Sequence, residues 1–249
     1  MRHSTRYRLN TFFSSSNFPK GVKWLLISNT AIFVLTFLLP RNEESLRSLF
    51  DWLGLWPYHV LRGFRIWQLA TYLFLHGSTM HLLFNMLALW MFGSMLEQDW
   101  GTRRFLRYYF LCGAAAGVCV IAVNVVIGDW GTPTIGASGA IFGLLLAFGV
   151  LYPNQTVLMN FLFPIKAKYM VMIYAAIELL MTFGPNTGVS TIAHLGGMLF
   201  GYLYLKTRMP SLGLAEARSA FNQWRLQRAK RKFQVYMRKH GKGGGPWVN

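Results

Sequence analysis

Four side chains in this sequence, Ser138, His194, His81 and Asn85, are of the types that together can hydrolyse an amide. A serine hydroxyl is a weak nucleophile until a base takes its proton. The oxyanion formed on attack then needs fixed hydrogen-bond donors. Ser138 sits in TPTIGASGAIFGLLLAF (132–148) between Gly136 and Gly139, where an apolar helix should begin. His81 and Asn85 are four residues apart, on one face of a helix. His194 shares a helical stripe with Gly197 and Gly201 in AHLGGMLFG (193–201). Singly, Ser138 reads as a helix cap, and His81 and Asn85 as interhelical hydrogen-bonding residues. Jointly, they predict a Ser138 nucleophile, a His194 base and an oxyanion site built from the Ser138 amide, His81 and Asn85. Phe142, one turn below Ser138, is placed to pack against the His194 ring. No acid is evidently placed to orient that ring, so the expectation is a dyad rather than a triad. Glu178 reads as a structural or water-facing carboxylate, with a third catalytic group as the lesser alternative.

The elements that must carry these residues are apolar. Of 249 residues, 53% are hydrophobic and 13% charged, with a formal charge of +17. Apolar runs at 22–40, 80–96, 105–127, 138–152, 168–183 and 190–206 approach the roughly 20 residues needed to cross a bilayer. Lys and Arg gather in alternate connections. These are the N-terminal arm (Arg2, Arg6, Arg8, Lys20, Lys23), Arg103–Arg104–Arg107, Lys166 and Lys168, and the tail from Lys206. The connection 128–137 holds only Asp129, and 184–190 holds no charge. The positive-inside rule then predicts six spans with both termini cytoplasmic, and explains the basicity without nucleic acid. The segment 41–79, broken by Gly54, Pro57 and Gly63, is expected as an interfacial loop of short amphipathic helices rather than a span. Cys112 and Cys119 read as small packing residues.

This topology puts Ser138, His81, Asn85 and His194 at similar depth near the outer face. Gly139 and Gly143 on one helix, and Gly197 and Gly201 on another, permit close backbone approach. From Ser138 to Pro153 is about 22 Å of helix at 1.5 Å per residue, short of a core about 30 Å thick. The loop GDWGTPTIGA must therefore dip inward, and a water-filled cavity above Ser138 follows. The domain reading is a basic arm (1–20), a six-helix core (21–206) and a basic amphipathic tail (207–249) lying on anionic lipid.

These motifs resemble the rhomboid family of intramembrane serine proteases. GASGAIFG (136–143) is similar to its nucleophile motif, AHLGGMLFG (193–201) to its base motif, and HGSTMHLLFN (76–85) to its His-and-Asn element. The resemblance covers about 20–206 and implies an all-α, six-helix membrane bundle with an interfacial first loop. It implies Ser138 as nucleophile, His194 as base, and His81, Asn85 and the Ser138 amide as the oxyanion hole. Gly136, Gly139, Phe142, Gly143, Gly197 and Gly201 would support them, and His76 would be structural or water-organising. Glu97 resembles a family carboxylate that ties down the turn between the second and third helices. Gln68 stands where Arg is common. The implied substrates are single-span membrane proteins cleaved near the outer face, with neither cofactor nor metal. A bacterial inner membrane is the expected location, since the core carries no added span at either end. The competing expectation is an inactive relative that binds membrane clients. A transporter and an H-E-x-x-H metalloprotease fit less well.

Overall fold

The computed structural model describes residues 18–38, 43–159, 163–183 and 189–208, together with residues 228 and 230. The expected basic arm, apart from its end, and nearly all of the expected amphipathic tail lie outside the described residues. The chain falls into two units, Met1–Tyr202 and Leu203–Asn249. In the second, the last residues of one helix and helical positions 228 and 230 are described.

The first unit is built from helices. Helix α1 (Lys20–Leu38) is followed by three short helices, α2 (Glu43–Leu53), α3 (Pro57–Leu61) and α4 (Gln68–Thr71), and a 3-10 turn (Tyr72–Phe74). Helix α5 (Thr79–Ala88) continues through a π turn (Leu89–Gly93) into α6 (Ser94–Trp100). Then come α7 (Thr102–Ile127), α8 (Ser138–Leu151), α9 (Ala167–Thr182) and α10 (Val189–Arg208), the last of which runs into the second unit. Among the described residues, Thr79–Trp100 and Thr102–Ile127 are long and apolar enough to cross a membrane. The chain is mostly helical, in line with the all-α expectation, with a short hairpin between α8 and α9. There Thr156–Met159 (β1) and Phe163–Lys166 (β2) pair antiparallel, Thr156 opposite Lys166 and Met159 opposite Phe163. β-Branched and aromatic residues at Thr156, Val157, Phe163 and Ile165 suit a pleated pair; a search for long apolar runs passes over so short a signal.

Helix α8 is the centre of the packing. Nine of its residues, from Gly139 to Gly149, are buried. On α9 only Ala167, Met170 and Val171 are buried. Beyond them α9 exposes Met172, Leu179, Leu180 and Met181, an apolar surface of the kind that soluble proteins seldom present. Small residues let α8 sit deep: a Cβ on Gly143 would lie 2.8 Å from Cys112 Sγ, and one on Gly197 would run into the Gly139 carbonyl. A Cβ on Gly201 would lie 3.4 Å from Gly143 Cα. The glycines therefore set α8 and α10 backbone against backbone. Tyr108 of α7 donates to the Gly143 carbonyl (2.9 Å), and Tyr72 to the Gly113 carbonyl (2.7 Å).

Two polar groups fix the surroundings of this core. Glu97, buried at the end of α6, accepts from the amides of Gly21 and Val22 (2.7 Å each) and from the Thr102 hydroxyl (2.6 Å). It thus ties the α6–α7 turn and also satisfies two of the amide donors that every helix N-terminus leaves free, here those of α1. Gln68, fully buried, accepts from Trp56 N–H (3.1 Å) and donates to the Asp51 carbonyl (2.8 Å). A neutral amide, reading one donor and one acceptor, thereby holds the segment between α2 and α4. Arg65 adds an ion pair to Asp51 (2.9 Å) and lies over the Trp52 ring.

Candidate active site

The local backbone before α8 dictates where Ser138 stands. Gly136 has φ +117°, a conformation that L side chains rarely adopt. A Cβ there would also lie 2.7 Å from the His81 ring. Its amide donates to the Tyr72 carbonyl (2.9 Å), pinning the loop to the 3-10 turn. The loop is fixed on its other side by paired hydrogen bonds between Leu55 and Thr134. Helix α8 then begins at Ser138 with Ala137 in the N-cap position. The ordinary alternative for Ser138, that it caps the helix, is thus not what the fold uses it for.

The His81 amide is capped by the Ser78 hydroxyl (3.2 Å), which starts α5. One turn on, buried Asn85 donates through Nδ2 to the His81 carbonyl (2.8 Å). An amide carries two N–H donors, so this bond orients Asn85 and leaves the second N–H for another acceptor. His76 is buried outside the cavity described below, edge-on to His81 with ring centroids 5.0 Å apart. Burial, with His81 beside it, pushes His76 down to about 4.

Ser138, His194, His81, Asn85 and Phe142 line one cavity of about 880 Å³. Its remaining wall is mainly apolar and includes Met91, Ile135, Leu158, Met170 and Tyr174. The Phe142 ring stacks on His194, centroids 4.1 Å apart and planes 7° apart. Tyr174 meets the other partner of that stack, Phe142, edge-on at 6.4 Å. Gly139, Gly143, Gly197 and Gly201 act by closeness alone, drawing the helices that carry Ser138 and His194 together.

The structure gives His194 a neighbour that the sequence did not place. The sequence showed no acid evidently placed to orient His194, and Glu178 read as structural or water-facing. In the structure Glu178 Oε1 lies 3.0 Å from His194 Nδ1, with both side chains largely buried. The approach is that of an ion pair and is not aligned as a hydrogen bond. Glu178 and the cavity residue Tyr174 are four apart on α9, the same spacing that singled out His81 and Asn85. That spacing is the signal available for both, since an aromatic in an apolar run otherwise reads as ordinary core.

The chain is similar to known proteins. A family profile described as Rhomboid domain matches residues 63–211. The chain is 26% identical to "Rhomboid-like protease 3" of Toxoplasma gondii, over 77% of this chain and 70% of that protein. It is 35% identical to "Rhomboid protease GluP" of Bacillus subtilis, over 61% of this chain and 27% of that protein. It is 29% identical to "Rhomboid protein 1, mitochondrial" of Saccharomyces cerevisiae, over 90% of this chain and 61% of that protein.

Proposed function

Because this chain belongs to the rhomboid family, we propose that it is an intramembrane serine endopeptidase that cleaves transmembrane segments of other membrane proteins through an acyl-enzyme. The observation that carries this reading is the shared cavity: a serine, two histidines and an asparagine from α5, α8 and α10 line one space, with Phe142 stacked on the base.

The reaction follows from the groups present. Ser138 Oγ attacks the scissile carbonyl carbon while its proton passes to His194. The oxyanion is held by the Ser138 amide, at the first turn of α8 where the helix leaves N–H groups free, and by the His81 and Asn85 side chains. Collapse breaks the C–N bond, and the departing amine takes the proton from His194. A water, deprotonated by the same imidazole, then releases the acyl group and regenerates Ser138. The apolar wall suits an apolar substrate segment. That segment must first unwind locally, because helical carbonyls are already hydrogen-bonded, so single-span proteins with small residues near the outer face are the proposed substrates.

The proposal includes six spans over 21–206 with both termini cytoplasmic, and a tail from 207 that lies on anionic lipid. It also includes a bacterial inner membrane as the location; the relatives come from bacteria, plants and mitochondria alike and favour none.

The test is labelling of the detergent-solubilised chain by a fluorophosphonate probe, wild type beside Ser138→Ala and His194→Ala. Labelling of wild type alone is expected. A folded wild type that takes no label overturns the protease reading in favour of a client-binding relative.

A further inference from the structure

The mechanism above leaves one ionisable group beside the site unused. Glu178 stands on α9 with Oε1 3.0 Å from His194 Nδ1; the two side chains are 12% and 15% exposed. Among the described residues its other oxygen, Oε2, is buried without a hydrogen-bond partner. A carboxylate in an apolar helix is expensive unless it is paired, and residues kept at that cost tend to serve function.

The two nitrogens of an imidazole lie on different edges of the ring, and the proton on one is set by what the other faces. Here the edge facing α9 carries Nδ1. A carboxylate only accepts hydrogen bonds, so it favours the tautomer with the proton on Nδ1. Nε2 is then left as the unprotonated nitrogen that can receive the Ser138 proton. Phe142, stacked at 4.1 Å, fixes the plane of the ring; Glu178 fixes which nitrogen is basic. When the ring gains the serine proton it becomes a cation, and a charge 3.0 Å away stabilises it whether or not the hydrogen bond is linear.

We infer that Glu178 is a positioning residue for His194, selecting its Nδ1–H tautomer and stabilising the imidazolium formed in the reaction, so that this chain works with a Ser138–His194–Glu178 array. The inference rests on the protease reading for its kinetic consequence, but its tautomer claim is separate.

The experiment compares wild type, Glu178→Gln and Glu178→Asp. One measurement is the rate of fluorophosphonate labelling against pH. The other is the ¹⁵N spectrum of the His194 imidazole in the same solubilised proteins. Among the described residues, the titratable side chains sharing the cavity with His194 are His81 on α5 and Tyr174 on α9, and Cys119 on α7 lies against the nearby Gly196; all three stay in every variant. Glu178→Gln is expected to label about 10²-fold more slowly at neutral pH, within the usual range for general-base assistance. Glu178→Asp should recover part of the lost rate. The wild-type spectrum should show the proton on Nδ1, and Glu178→Gln a mixture of tautomers. Unchanged rate and tautomer in a folded Glu178→Gln overturn the inference and leave the protease reading standing. An unlabelled wild type whose tautomer still depends on Glu178 overturns the protease reading and leaves the positioning role standing.

Discussion

Glu97 and Glu178 are both largely buried glutamates, yet their surroundings differ in kind. Glu97 is saturated, with two amides of α1 and the Thr102 hydroxyl converging on its oxygens at 2.6–2.7 Å. Glu178 has one oxygen beside an imidazole and the other without a partner among the described residues. A charge surrounded by donors is fixed in its state and contributes to stability. A charge paired with a titratable ring changes its interaction energy whenever that ring gains or loses a proton. The residue type is the same in both; the partners separate a fastening from a working group.

The difference can be broken most directly at Glu97. Glu97→Ala leaves two helix-terminal amides and a hydroxyl without their acceptor, and should cost about 3–5 kcal/mol of stability. Thermal unfolding in detergent reads this, and the His194 tautomer in whatever folds should stay as it is in wild type. Gly197→Ala tests the close packing that brings the helices of Ser138 and His194 together. Its Cβ meets the Gly139 carbonyl, a backbone atom that cannot swing aside. A loss of about 3 kcal/mol, the upper range for overpacking, is expected in the same unfolding assay, with labelling weakened in proportion to the displaced Ser138.

A smaller effect should come from His76. It is held neutral in the fold and pushed down to about 4, whereas an unfolded histidine titrates near about 6.5. Between these values the unfolded chain binds the extra proton, so stability is complete above the upper value and declines as pH falls toward the lower. His76→Gln should flatten that decline in thermal midpoints measured from pH 7 to pH 4. Smallest of all is the stability change in Glu178→Gln. Removing a buried charge that has few donors should leave stability unchanged or raise it by up to about 1 kcal/mol. A large loss there would make Glu178 a second Glu97 and erase the distinction.

Much of the site was readable in the chain. The i, i+4 pair His81 and Asn85, the glycines around Ser138, and the stripe His194–Gly197–Gly201 depend on helical period alone, and all of them face one cavity or one close helix contact. Phe142 against His194 was legible for the same reason, as a residue one turn from the nucleophile. The β1–β2 hairpin was not, because four-residue strands leave little periodicity to detect. Nor was the second job of Glu97: sequence suggested the α6–α7 turn, while its bonds to Gly21 and Val22 join residues 75 and 76 positions apart.

What the sequence by itself determined, then, is which faces are apolar, where the chain can turn, and which polar groups share a face within a single helix, since these follow from local period and backbone freedom. Which helix stands beside which was decided only by tertiary packing. The approach of Glu178 to His194 depends on the angle and depth at which α9 meets α10, and these are set by side-chain volumes along the whole interface. A carboxylate and an imidazole on different helices carry no local signature of contact. Only the assembled fold puts one against the other.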